Sequence, residues 1–315
     1  MSTDIKAVKY KFERLSEYNI TDLEKLHTAV YAQTLPQNYF QNKYDTAFTS
    51  VQHTGYIAYD SGRAIAFYGV IPCFIRLNGS IILAAQSADT MTHPQYRNKG
   101  LFIELAKETF ELCGKNGIEL LFGFPNQNSL YGFVNRLGWT TTERMSCFII
   151  SAGTFSWQRI FRKLPLLQTW YKSYQQRQLK KVSLPQKGID NSVFNDNYGG
   201  LLRGQNYFEY KKYSTTHVIK LGHSILWIKI NNELVIGDIS VSPGDFDDMI
   251  KKLKRFAYKL GIKEIHFHAC PNTTLHSLFV GRFNALPSFP VIFKELNGTA
   301  DIGHIKFTSA DIDTF

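Results

Sequence analysis

The chain has little that would tie it to a membrane, a metal or a disulfide framework. Across 315 residues no apolar run approaches the roughly 18 that a membrane-spanning helix needs. The opening stretch, MSTDIKAVKYKFER, is charged where a secretion signal would be apolar, so a soluble cytoplasmic protein is expected. Only four cysteines occur, Cys73, Cys113, Cys147 and Cys270, scattered without metal-ligand spacing. They read as reduced core residues, and no metal is expected. Acidic residues are missing altogether between Glu143 and Asp190. What is plentiful is core material: 44% hydrophobic and 14% aromatic residues suit two domains of ordinary size.

The most informative segment is Thr92 with THPQYRNKGLFIELAKETF around it, which reads as a strand end, a tight basic loop and a helix start. Arg97, Asn98, Lys99 and Gly100 stand where the first N–H groups of a helix have no intrahelical acceptor. The loop thus offers donors, a helix dipole and two cations to a phosphate. Gly100 lets backbone approach a ligand closely. A Walker loop needs GxxxxGK[ST] and a dinucleotide loop needs GxGxxG, and neither fits here.

Downstream, Ile103, Ala106, Phe110 and Cys113 recur at helical spacing, and Gly114 and Gly117 stop the helix. Residues 118–124, IELLFGF, suit a buried strand, followed by Pro125-Asn126, a helix from about Ser129, and Leu137-Gly138-Trp139. Upstream, Thr21 and Glu24 predict a capping box for a helix with Leu23, Leu26, Ala29 and Val30 on its apolar face. Residues 56–59, 63–77 and 80–92 read as strands, joined by Asp60-Ser61-Gly62 and by Asn78-Gly79, a type I′ hairpin signal.

Arg-x-x-Gly after a strand, with Asn126 and Gly138-Trp139 beyond it, resembles the GNAT acetyltransferases, whose pyrophosphate loop is written [QR]xxGx[GA]. Phe102 departs from that pattern, standing where the family has Gly or Ala. The resemblance covers residues 8–150. It implies acetyl-CoA as co-substrate, bound between two splayed central strands by Thr90, Met91, Thr92, Arg97, Asn98, Lys99, Gly100, Leu101, Phe102 and Asn126. The family's usual thiolate-protonating tyrosine falls at Val134 here. Tyr131, one helical turn earlier, is the substitute candidate, against a half-buried packing role. Asp89 and His93 are the base candidates. Strand alternation puts Asp89, Met91 and His93 on one face and Ala88, Thr90 and Thr92 on the other, and His93 could equally cap the turn it precedes.

The second half repeats the first in outline. Pro-Asn recurs at 125–126 and 271–272, and Phe-Val-x-Arg at 133–136 and 279–282, both displaced by 146 residues. The counterpart loop, from Val241, places Asp245, Asp247 and Asp248 at a helix N-terminus, which repels a pyrophosphate. One cofactor per chain is expected. The fold class is accordingly α+β (mixed α/β): two GNAT-like domains, 1–150 and 190–315, each a mostly antiparallel mixed sheet flanked by helices, the second diverged, with a connector at 151–189. This division resembles the tandem GNAT proteins of the Eis-like and FemAB-like kinds.

Nine cations surround or occupy the connector, from Arg144 through Arg159, Arg162, Lys163, Lys172, Arg177, Lys180 and Lys181 to Lys187. Trp157, Ile160, Phe161, Leu164, Leu167, Tyr171 and Tyr174 recur among them at helical spacing. The segment either attracts an anionic partner or packs as a connector with solvated charges. The tail residues Asp311 and Asp313 either fold back to the cleft or fray. Three functions remain open: N-acetyl transfer to the primary amine of a small acceptor such as an amino sugar or glycan precursor, aminoacyl transfer from tRNA in the FemAB-like manner, and ligand binding without catalysis.

Overall fold

The computed structural model describes residues 10–157, 161, 165–297 and 300–315. Arg159, Ile160, Arg162, Lys163 and Leu164 of the connector lie outside the described residues, as do the first nine residues.

Strands β1 (Lys11–Arg14), β2 (Gly55–Asp60), β3 (Arg63–Leu77) and β4 (Ser80–Thr92) form an antiparallel meander. The turns are written in the sequence. Ser61 and Gly62 have φ of 49° and 79°, and Asn78 and Gly79 have 50° and 80°, the left-handed pairs that Gly and Asn tolerate. Helix α1 (Ile20–Tyr31) and the short α2 (Tyr39–Tyr44) cover one face. The anticipated capping box at Thr21 is absent, because α1 starts at Ile20, two residues earlier than a cap at Thr21 requires. Asn19 occupies the cap position, and its side chain instead ties Arg14 O and Ser16 N.

Helix α3 (Leu101–Lys115) crosses over to β5 (Leu120–Gly123), which lies parallel to β4. Then come α4 (Gln127–Tyr131), a wider turn at Gly132–Arg136, and β6 (Thr140–Ser151). After α5 (Pro165–Lys180), β7 (Gly200–Leu201) and α6 (Gln205–Tyr210), the same order returns: β8 (His217–Leu221), β9 (Ser224–Ile230), β10 (Leu234–Ser240), α7 (Phe246–Lys259), β11 (Glu264–Ala269), α8 (Thr274–Val280) and β12 (Ala285–Glu295). Again β10 and β11 are parallel around a crossover helix.

The two halves make one twelve-stranded sheet, β1-β2-β3-β4-β5-β12-β6-β11-β10-β9-β8, with β7 added to β3. Each half's last strand sits beside the other half's splayed strand: β12 pairs with β5, β6 pairs with β11, and β6 and β12 pair with each other. Every contact among these four is antiparallel.

Three apolar cores follow. One holds α3 against the first half, through Leu101, Leu105 and Cys113 on Val70, Ala85 and Leu121. Another holds α7 against the second half, through Phe246, Met249 and Leu253 on Ile236 and Phe267. The third spans both halves, joining Leu23, Leu26, Phe40 and Tyr44 to Trp227 and to the tail residues Phe307, Ile312 and Phe315. All four thiols are free, and burial pushes those of Cys113 and Cys147 up to about 12 and about 11.

Tail residues 305–315 are fixed by buried charge. Arg203, fully buried, binds Asp238 at 2.5 Å and Asp311 at 2.7 Å. Lys211 Nζ donates to the carbonyls of Ala310 at 3.0 Å and Ile312 at 3.1 Å. Burial pushes the Lys211 amine down to about 7, against the pull of Asp311 and Asp313. The unfolded chain keeps that proton to about pH 10, so between about 7 and 10 it binds more protons than the fold does, and stability rises with pH. Urea melts between about pH 7 and pH 9 should therefore show a gain in stability that Lys211→Met loses.

Candidate functional site

The site begins where two parallel strands part. Ala84, Ala85 and Gln86 of β4 pair with Leu120, Leu121 and Phe122, and the pairing stops there. Beyond it, β4 carries a bulge: its register on β3 shifts between Ala88 and Met91, and Asp89 adopts a left-handed φ of 52°. Alternation along the strand is broken at that point. Met91 joins Ala88 in one core cluster instead of facing the opposite side, which corrects the face assignment made from spacing alone.

A cavity of about 540 Å³ opens in the gap, lined by Ser87 to Met91 on one side and by Gly123 to Asn126 on the other. Residues from α1 (His27, Tyr31) and from the tail (Asp313, Thr314) complete the wall. Thr90, Met91, Phe102 and Asn126 of the expected set are among the lining residues, and Thr92, Arg97, Asn98, Lys99, Gly100 and Leu101 are not. Asn126 also caps α4, accepting from Asn128 N at 2.9 Å and Ser129 N at 3.1 Å.

The loop over 97–102 has the form of an anion cradle. Asn98 and Gly100 both have left-handed φ, 63° and 81°. The N–H groups of residues 98–102 meet no acceptor among the described residues, since the first helix-closing bonds run from Ile103 and Glu104 to Gly100 O. A Cβ on Gly100 would have only Glu104 Oε1 within 4 Å, at 3.6 Å, so the space over this backbone is open. Lys99 lies 4.6 Å over the Tyr96 ring, and Arg97 is exposed beside it.

Part of the cavity wall is anionic. Lys43, buried on α2, places its Nζ 2.7 Å from Asp89 and 2.8 Å from Asp313. Burial alone would lower the Lys43 pKa, but the two carboxylates outweigh it and hold it well above the ordinary value. Tyr44 donates to Asp89 at 3.0 Å. Two carboxylates therefore share one ammonium. Tyr31 stands near them, its pKa raised first by burial and then by Asp89. The His27 ring packs tilted against Tyr31 and edge-on to Phe40, and its Nδ1 has no hydrogen-bond partner among the described residues.

Two of the sequence candidates stand elsewhere. His93 is buried outside the lining, with Nε2 3.0 Å from Arg63 and Nδ1 accepting from Gln95 N at 3.4 Å, so it caps the turn at Pro94–Tyr96. Tyr131 is 63% exposed and does not line the cavity, because α4 ends after it and the chain widens into the turn at Gly132. His27, Tyr31 and Lys43 were missed. Only their spacing on short helices marked them, and that spacing is shared with residues that merely pack.

Comparison with known proteins bears on this geometry. The acetyltransferase (GNAT) domain family matches residues 11–142, the stretch that supplies the bulge, the cradle and Asn126. Residues 11–142 are thus similar to a GNAT acetyltransferase domain over their whole length. The chain that carries it is thereby an acyltransferase. The whole fold is similar to a GCN5-related N-acetyltransferase from Kribbella flavida, at 12% identity over 92% of this chain and 72% of that one, with a TM-score of 0.55. It is likewise similar to a conserved protein of unknown function from Enterococcus faecalis V583, at 11% identity over 91% and 73%, with a TM-score of 0.60. A GCN5-related N-acetyltransferase from Anabaena variabilis ATCC 29413 aligns at 13% identity over 92% and 73%, with a TM-score of 0.54. Among curated proteins no match is found. Among the described residues no cluster of metal-ligating side chains occurs, and no helix is long and apolar enough to cross a membrane.

The departure from the GNAT loop pattern at Phe102 has a local compensation. A Cβ on Gly132 would lie 2.9 Å from Phe102 Cε1, and the ring is held between Tyr68 and Phe133. The absent side chain at 132 makes room for the ring at 102. Gly132→Ala should cost about 1–3 kcal/mol as an overpacking change. In a Phe102→Ala background the same substitution should cost measurably less, which a double-mutant cycle of urea midpoints would report.

Proposed function

We propose that the chain moves an acetyl group from acetyl-CoA to the primary amine of a small acceptor by direct transfer. The observation that carries this reading is the pairing of a donor loop with an anionic cavity wall. The loop of unpaired N–H groups and two cations runs up to Phe102, which lines the cavity, and the same lining holds Asp89 and Asp313, two carboxylates sharing one lysine. The loop suits a pyrophosphate and the carboxylates an ammonium. An acceptor such as an amino sugar or a similar glycan precursor fits a polar cavity of about 540 Å³.

Each residue then has a task. The backbone of 97–102 holds the pyrophosphate, and Thr90, Met91 and Asn126 flank the pantetheine arm. Asp89, oriented by Lys43 and Tyr44, takes the proton of the acceptor amine through water. The amine nitrogen attacks the thioester carbon, the carbon–sulfur bond breaks, and the departing thiolate takes a proton from Tyr31. A tyrosine whose pKa is raised is protonated at neutral pH and available as a donor. Residues 1–150 carry the cofactor, and 190–315 contribute the wall at Asp313 and Thr314, a division of the tandem GNAT kind.

The second splay is occupied by the chain itself. Thr308 bridges to Ala269, Ser309 Oγ accepts from His268 N at 2.8 Å, and the Phe315 ring lies where a Cβ on Gly237 would be, in the bulge of β10. Asp247 is bound by Arg282 and Asp248 by Lys252. Calorimetry should accordingly give one CoA per chain, and two equal sites would contradict this assignment.

Gly100→Val should abolish CoA binding by blocking the backbone, whereas Lys99→Ala should weaken it by only ~1 kcal/mol. Tyr31→Phe should keep CoA affinity and lose turnover by ~10²-fold, as expected for a positioned acid. Tyr131→Phe, made alongside, should turn over at the wild-type rate. The reverse result would return the acid to Tyr131, and undiminished CoA binding by Gly100→Val would sink the cofactor site.

A further inference from the structure

The acyl-transfer chemistry leaves the basic connector unused, and its described part presents an unusual surface. Helix α5 packs through the edge that carries Tyr171, Gln175 and Leu179: Tyr171 donates to Leu260 O at 2.6 Å, Gln175 to the same carbonyl at 3.2 Å, Leu179 is buried, and Trp157 sits over the adjacent Gly261. Next to that edge, Leu167, Trp170 and Tyr174 follow at i, i+3 and i+7. At 3.6 residues per turn they fall within about 60° of one another. This stripe is not covered. Trp170 is 58% exposed, Leu167 is 42% exposed, and the Trp170 and Tyr174 rings stack at 5.8 Å.

Charge of one sign lies beside the stripe. Arg177 falls about 20° and Lys180 about 80° from Trp170 around the helix, both exposed and in no ion pair among the described residues, whereas Lys172 is on the opposite side of α5. The contact at Leu260 joins α5 to the C-terminal end of α7, where Arg255 and Lys259 are exposed beside Tyr258, itself 53% exposed. The acids of α7, Asp247 and Asp248, sit in its first turn, at the far end, and are already paired. The exposed side of α5 is thus cationic and aromatic, further cations and an exposed tyrosine stand at the adjoining end of α7, and neither helix offers a free carboxylate.

We propose that this face docks on the surface of an anionic lipid bilayer. Cations beside exposed Leu, Trp and Tyr are the composition of a helix lying in the headgroup region, where the rings enter the acyl boundary and lysine and arginine meet lipid phosphates. Nucleic acid would use the same cations but leaves Leu167 without an apolar partner. The lipid surface satisfies all three elements. The docking is independent of the transfer reaction and holds the enzyme at the membrane while its cavity works on an acceptor.

The test is sedimentation of the full chain with vesicles of phosphatidylcholine alone and of phosphatidylcholine with about one-third phosphatidylserine, at low and physiological salt. Binding to the anionic vesicles only, weakened by salt, with a blue shift in tryptophan emission, is expected. Trp139 and Trp227 are buried and Trp157 is packed, so Trp170 dominates that shift. Arg177→Glu with Lys180→Glu should weaken binding at least about 25-fold, since each cation near such a surface contributes about fivefold. Trp170→Ser should remove the shift and weaken binding while the thermal melt stays unchanged. No vesicle binding by the wild type, equal binding to neutral vesicles, affinity unmoved by the variants, or binding to RNA without binding to vesicles would each overturn the proposal.

Discussion

The antiparallel pairing of β6 with β12 is the constraint on which the rest of the molecule depends. Each strand closes the sheet of the other half, so neither half completes its hydrogen-bonded edge by itself. Because β12 lies against β5, the splay between β4 and β5 has a fixed outer wall, and because β6 lies against β11, the second splay is held at the same time. The chain that leaves β12 must then return across the molecule. It does so as the tail that fills the second gap and reaches the first.

That tail shows how buried charge can serve location. Arg203 with Asp238 and Asp311 is fully enclosed, and an enclosed ion pair gains little net stability over an apolar trio because each ion gives up its hydration. What it provides is register. Asp311 satisfies Arg203 in one position of the tail only, with Thr308 closing a capping box on the same carboxylate. Two residues later Asp313 meets Lys43, and Lys43 meets Asp89. A chain of ionic contacts therefore runs from the second half's bulge at Asp238 to the first half's bulge at Asp89, and it fixes the anionic part of the cavity wall.

Some of this was legible residue by residue. The turns at Ser61-Gly62 and Asn78-Gly79, the loop at 97–102 and the crossover from α3 to β5 are local patterns, in which glycine, asparagine and apolar periodicity state the backbone directly. The 146-residue repeat gave the order of elements in the second half. The bulge at Asp89 was not legible, since nothing in QSADTMT departs from a regular strand, and it turned Met91 to the other face. Tyr131 was read on a continuous helix, whereas the turn at Gly132 widens because Phe102 takes the space beside it. The cap at Asn19 won over Thr21 through bonds to residues before the helix, which spacing within the helix does not reveal.

By itself the sequence determined the family resemblance, the mixed sheet with its parallel crossovers, the backbone form of the 97–102 loop and the cationic bias of the connector, because each rests on residues near one another in the chain. Tertiary structure alone decided that the two halves exchange their last strands, that a lysine on α2 is shared by carboxylates 224 residues apart, Asp89 and Asp313, and that the tail closes one splay while lining the other. Those outcomes depend on contacts between distant segments, whose partners are selected by burial and by the need to satisfy every enclosed charge and backbone group. No local pattern encodes which distant group will answer.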